Sequence, residues 1–343
     1  SHPQEAETPT ETIGRTIRWL GDRSGPPAGR RGRSPAQTDS VQLREGESTI
    51  RETLLSLQLA AGETFGILTE PVSEAPRPLT GVLLNGGALR HTGPNRSAVE
   101  TARRWAARGV ASVRFDLSGL GDAAGDERAL VSNTALYARR STDDVLGVVD
   151  QLAARGLPER FVLGGLCTAG YQSLHAALAD PRIAGAALIN LYAFYWSEAL
   201  VAERETFRSR NMQRRPALLQ MMRGRLTPEN LMTALRSVQP NRIRRGGRHP
   251  SERAQRAAIA RMLDRLRDQG TELLLLLSEE EPLYDQLRRQ RHLAHLDRWP
   301  NLTVERIPSR DHMFRALWLQ DRVHTHVDGL LDRVLARSTA APG

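Results

Sequence analysis

The sequence predicts an α/β chain: a mostly parallel central sheet flanked by helices, with a helical cap inserted late in the order of strands. Three observations carry this. From about residue 50 onward, short apolar runs alternate with helical stretches, the pattern of βαβ units. The alternation stops between residues 192 and 269, where arginine-rich helical stretches take over, and resumes at Glu272. Between the two, the apolar run Phe161-Val162-Leu163 passes through Gly164-Gly165-Leu166-Cys167-Thr168-Ala169-Gly170 into a helix without a connecting loop.

The elements follow in chain order. Residues 1–45 are polar, include Gly25-Pro26-Pro27-Ala28-Gly29-Arg30-Arg31, and cannot bury much apolar surface. They read as a flexible arm, with residues 16–20 as a candidate edge strand. Strands are expected at 53–59, 64–68 and 81–85, a helix at 98–107, and a strand at 111–116. A helix at 142–153, a strand at 161–164, a helix at 169–178 and a strand at 183–190 come next. The cap spans 192–269, strands return at 272–277 and 302–307, and a terminal helix covers 317–335. The organisation is therefore an arm (1–45), a first core segment (46–191), the cap (192–269) and a second core segment (270–343).

Composition limits the function. The 40% hydrophobic and 25% charged content is that of a globular domain, and no run of eighteen apolar residues is present to span a bilayer. No secretory pattern follows Ser1-His2-Pro3, and the chain reads as cytoplasmic. Every basic side chain behind the net charge of +9 is an arginine. These are spread over several helices without interleaved aromatics, which argues against nucleic acid and for acidic protein partners or phosphate-bearing ligands. The one cysteine, Cys167, excludes an intrachain disulfide. No P-loop, dinucleotide fingerprint or metal motif is found, so neither cofactor nor metal is expected.

Cys167 sits in the G-x-nucleophile-x-small pattern of a nucleophile elbow, where Gly165 and Ala169 must be small because the turn is tight. The helix that begins there favours a thiolate through its dipole and unpaired N–H groups. A thiolate nucleophile needs a base, and His312 alone among nine histidines lies in the loop after the last strand. An acid that orients the imidazole should follow the preceding strand, where Glu281 and Asp285 both stand as candidates. Asp311, beside His312, is a weaker one. The oxyanion hole is expected from the N–H of Thr168 with Gly86 or Gly87, and Asn95, Arg96 and Tyr192 are candidate substrate contacts.

Taken together, Leu84-Asn85-Gly86-Gly87, Gly93-Pro94-Asn95-Arg96, Arg114-Phe115-Asp116, Gly119-Leu120-Gly121-Asp122, Gly165-Leu166-Cys167, the stretch from Ser278-Glu279 through Pro282 and Asp285, and Asp311-His312 resemble the α/β hydrolases with a cysteine nucleophile. The closest resemblance is to the exosortase A system-associated hydrolases, over roughly residues 50–335. It implies an α/β-hydrolase fold and places the acid at Glu281, where relatives carry aspartate. Similar cysteine elbows occur in dienelactone hydrolases, polyhydroxyalkanoate synthases and aminoacyl transferases that serve carrier proteins. Three functions are weighed: acyl transfer from a carrier- or pantetheine-bound thioester, hydrolysis of an ester, thioester or lactone, and non-catalytic binding. For the first, cap arginines such as Arg208, Arg210, Arg214, Arg215, Arg242, Arg244, Arg245 and Arg248 would meet an acidic carrier.

Overall fold

The computed structural model describes residues 14, 15, 18, 39–87, 89–125, 136–196 and 251–340. The chain divides into two compact units, Ser1–Asp39 and Ser40–Gly343. In the first, Gly14, Arg15 and Arg18 are helical. Arg18 therefore does not belong to the strand expected over 16–20, whose other members lie outside the described residues.

The second unit is built on a nine-stranded sheet. It opens with β1 (Ser40–Glu45), β2 (Ser48–Leu59) and β3 (Gly62–Pro71), an antiparallel meander in which Leu43 faces Ile50 and Thr53 faces Leu68. Strand β1 takes residues 40–45, which the sequence assigns to the arm, into the sheet. Its signal is two residues long, Val41 and Leu43 alternating with polar neighbours, and an edge strand needs only one covered face. Val41 is 51% exposed.

The parallel part comprises β4 (Thr80–Leu84), β5 (Ala111–Phe115), β6 (Phe161–Leu166), β7 (Ile183–Ile189), β8 (Glu272–Ser278) and β9 (Leu302–Ile307). Spatial order is β1-β2-β3-β5-β4-β6-β7-β8-β9. From β4 the chain steps outward to β5 and then back past β4 to β6, so the direction of winding reverses there. Ligands of open α/β sheets bind outside the carboxyl ends of the strands at such a switch point.

Helices α1 (Ser97–Ala106), α2 (Arg139–Ala154), α3 (Thr168–Ala179), α4 (Glu252–Asp268), α5 (Pro282–Arg289) and α6 (Leu317–Ala340) flank the sheet. Two apolar cores result. One holds Val148, Leu152, Leu174, Ile259 and Leu263 with alternate residues of β4 to β8, and the other joins α1 and α6 over Leu83, Val162, Leu274 and Leu276. Because both sheet faces are covered, the central strands read as continuous apolar runs, as Leu273 through Leu277 do.

Of the expected cap, residues 197–250 lie outside the described residues, together with the eight arginines named above. Its last part is α4, which buries Ile259, Leu263 and Leu266 in the first core and leads into β8. Among the described residues, no helix is long and apolar enough to cross a membrane.

Candidate active site

Strand β6 ends at Leu166, and Cys167 turns the chain into α3 with φ 58° and ψ −108°. A left-handed φ at a residue bearing a Cβ is strained and persists only where the surroundings impose it. Here they do. The Cys167 N–H donates to the Ile189 carbonyl of the neighbouring strand at 2.8 Å, and its carbonyl accepts from Tyr171 N–H at 3.1 Å. A Cβ added to Gly165 would lie 2.3 Å from the Ala169 Cβ and 2.7 Å from the Leu84 oxygen, so the corner closes only around glycine. The thiol, half-buried, is lifted above the strand ends.

The loop after β9 brings His312 to it. His312 is hydrogen-bonded to Cys167, and its Nδ1 lies 2.5 Å from Glu281 Oε1. Burial by itself would lower the imidazole's pKa, but hydrogen bonds to Cys167 and Glu281 and the charges of both outweigh it and push His312 up to about 10. Glu281, 8% exposed, immediately precedes Pro282 at the start of α5, and also accepts from the Ser278 hydroxyl at 3.3 Å. Asp285, the competing acid, is 57% exposed and pairs with Arg288 at 3.1 Å. One helical turn beyond Glu281, it is carried away from the imidazole. Asp311 is not the acid either: its carboxylate accepts the N–H groups of Met313 (3.1 Å) and Arg315 (2.7 Å) and shapes the turn that presents His312.

Asn190 joins the two arms and escaped sequence reasoning. In left-handed conformation at the end of β7, it donates from Nδ2 to the His312 carbonyl at 2.7 Å and accepts from Ser278 N–H at 2.6 Å. One buried side chain thus sets the height of the histidine loop against the end of the strand that leads to Glu281. Its signal was only an Asn closing an apolar strand. Tyr137 is the second omission, its hydroxyl 3.6 Å from Cys167 Sγ. Its ring stacks on Trp196 at 3.7 Å and meets Tyr171 edge-on at 5.0 Å, with Tyr192 at 6.4 Å. Tyr192 therefore belongs to an aromatic wall beside the thiol.

Opposite the histidine, Gly86 and Gly87 follow β4. A Cβ on Gly86 would lie 2.4 Å from the Leu166 oxygen, so glycine lets this loop lie against the elbow. The Thr168 N–H, in the first turn of α3, has no acceptor within its helix by position. Gly87 differs from expectation: its N–H donates to the Thr168 hydroxyl at 2.6 Å, so the group expected to face an oxyanion is engaged by the residue after Cys167.

The candidate substrate contacts at 95 and 96 are occupied elsewhere. Asn95 donates to the Arg315 carbonyl at 2.5 Å, which ties the start of α1 to the histidine loop, and Arg96 pairs with Glu100 at 3.5 Å. Asp116 gathers the loops around the strand ends, accepting N–H bonds from His91 (2.6 Å) and Asp122 (3.0 Å) while its Oδ2 contacts the His91 ring at 3.0 Å. His91, Asp116 and Asp122 offer donor atoms within 4.8 Å of one another, but these backbone bonds account for the Asp116 carboxylate.

No family model matches the chain, and no curated protein matches it. Solved structures do. A dienelactone hydrolase from Anabaena variabilis superposes with a TM-score of 0.51 at 12% identity, covering 82% of this chain and 97% of that one. An esterase from Pyrococcus furiosus superposes equally, with a TM-score of 0.51 at 12% identity and coverage of 83% and 91%. With the strand order and helical layers described above, these likenesses establish that the chain has the α/β-hydrolase fold.

Proposed function

We propose that this chain is an acyl-transfer enzyme working through a thioester on Cys167, with His312 as proton relay and Glu281 as the acid that orients it. The observation that carries the reading is the hydrogen-bonded series Glu281, His312, Cys167 at the switch point of the sheet. Cys167 Sγ attacks the donor's carbonyl carbon, and the developing oxyanion is met by the Thr168 N–H and the Gly86-Gly87 loop. The carbonyl-to-leaving-group bond breaks, and the leaving group takes the proton held by His312. An acceptor then gives its proton to His312, attacks the acyl carbon and releases the Cys167 thiolate.

A cysteine thioester is close in energy to a pantetheine thioester, so exchange is nearly reversible, which suits transfer between thiols. The donor is accordingly a carrier- or pantetheine-bound acyl group, and an acidic carrier protein is the partner that the arginine-rich composition favours. The resemblance to cysteine-nucleophile hydrolases, exosortase A system-associated hydrolases among them, supports the thioester mechanism and leaves the acyl substrate open. Hydrolysis is the second reading. The His312 side chain is 31% exposed, so water can reach it, and both similar structures bear hydrolytic names, dienelactone hydrolase and esterase.

The test is intact-protein mass spectrometry after mixing the protein with acetyl-pantetheine, longer acyl-pantetheines and acyl-carrier thioesters. Wild type is expected to gain one acyl mass, and Cys167→Ala none. Passage of that mass to a second carrier or thiol supports transfer, and release as free acid supports hydrolysis. If wild type gains no acyl mass and iodoacetamide also leaves Cys167 unlabelled, the nucleophile assignment fails and non-catalytic binding takes its place.

A further inference from the structure

Behind the catalytic pair, between α1, α6 and the ends of β4, β6 and β7, lies a cavity of about 70 Å³. It belongs to the second apolar core, and four partly buried residues pack against that core from the side of the catalytic site: Cys167, Met313, Ile189 and Ala98. The last three also line the cavity. Its wall therefore runs from the neighbour of His312 in sequence to the residues that flank the thiol. Leu166, the residue before the nucleophile, and Gly86 of the oxyanion loop form part of the same wall.

The lining is mainly apolar, with Leu83, Trp105, Phe314 and Val327 deepest in the core. Its principal polar groups are committed to protein partners. Thr101 donates its hydroxyl to the Ser97 carbonyl at 2.8 Å and lies 3.3 Å from His324 Nδ1, and Gln320 donates to the Arg315 carbonyl at 3.4 Å. Burial, with Arg104 nearby, lowers the pKa of His324. Ser97 adds one further hydroxyl to the wall. A space whose polar groups already satisfy one another offers water few bonds and takes apolar matter instead.

We propose that this cavity is a binding site for the unbranched aliphatic chain of the substrate, whose length it limits. The proposal rests on the reading of Cys167 as the acylated nucleophile. The same chain could belong to the acyl group or to the leaving group, and the two are separable by experiment.

Two series would be compared on the full chain: acyl-pantetheine thioesters from two to ten carbons, and acetate esters of alcohols over the same lengths. The rate constant for acylating Cys167 is divided by the apparent binding constant in each. The expected result is a rise of about threefold to fourfold per methylene in one series, ending at the length that fills the cavity. Ala98→Leu, which narrows the cavity, is expected to shorten that optimum by two or three carbons, and Val327→Ala to lengthen it. Melting curves would confirm that both variants fold, and the two-carbon substrate should acylate both as it does wild type. A rise in the acyl series assigns the cavity to the acyl chain, and a rise in the alcohol series to the leaving group. The inference is overturned if both series are flat, or if neither variant moves the optimum while acetylation proceeds normally. Failure of even the two-carbon donors would overturn the nucleophile assignment itself.

Discussion

The two sides of the site are held in different ways. On the histidine side, Glu281, His312, Asn190 and Ser278 form a closed set of bonds in which the carboxylate, the imidazole and both strand ends fix one another. On the oxyanion side, one glycine loop lies against the elbow and its N–H is bound by a rotatable threonine hydroxyl. The first side is built before substrate arrives. The second must exchange a bond with itself for a bond with substrate if Gly87 is to serve. Under the proposed mechanism, rigidity falls where proton position matters, and adaptability where the carbonyl oxygen enters.

The sharpest way to break this contrast is to remove the charge that organises the rigid side. Glu281→Gln is expected to slow acylation by about 10³- to 10⁴-fold, since an uncharged amide no longer fixes the tautomer or stabilises the imidazolium, whereas Asp285→Asn should stay within about twofold, having only a surface pair to lose. The same variant has a signature in stability. A group whose folded pKa is raised stabilises the fold fully below its ordinary value and loses that contribution as pH rises through the folded one. For His312 this window runs from about 6.5 to about 10. Urea midpoints for wild type should therefore fall across that range, and in Glu281→Gln the fall should be smaller and end at lower pH. A wild-type midpoint flat from pH 6 to 10 would contradict the coupling.

Asn190→Ala comes next. It leaves the buried Ser278 N–H without its acceptor, at a cost of about 1–3 kcal/mol of folding stability, and lets the histidine loop ride up. Acylation should slow by roughly 10- to 100-fold, because misplacing a catalytic group by an ångström has effects of that size. Normal acylation in a destabilised variant would reduce Asn190 to a structural tie. The smallest effect is expected on the adaptable side. Thr168→Ala frees the Gly87 N–H and should raise acylation by at most about tenfold, the worth of one neutral hydrogen bond. A large loss would reveal that the hydroxyl itself donates to the oxyanion.

What was legible in the sequence follows the same division. Strands β4 to β8 could be read because each is a mainly apolar run, and β9 because Leu302, Val304 and Ile307 mark a short strand before His312, and Cys167, His312 and Glu281 could be placed because each follows one of those strands. The choice between Glu281 and Asp285 needed three dimensions, since a helix beginning between them carries one inward and the other to solvent. Asn190, Tyr137 and the Thr168 hydroxyl act through contacts across distant segments, 122 residues apart for Asn190 and His312, and no local periodicity marks such a contact. Strand β1 was missed for the opposite reason, a signal too short to stand out from the polar segment before it.

The elbow also sets how this protein meets oxidants. Cys167 is the chain's one thiol, half-exposed and beside an imidazolium. A sulfenic acid formed there has no second cysteine in the chain to condense with, so its return to the thiol depends on a small external thiol or a reductase reaching the same opening the substrate uses. Without that help, further oxidation is irreversible and the molecule is lost one site at a time. Enzyme activity and titratable thiol should therefore decline together under peroxide, each molecule counting as fully active or fully silent.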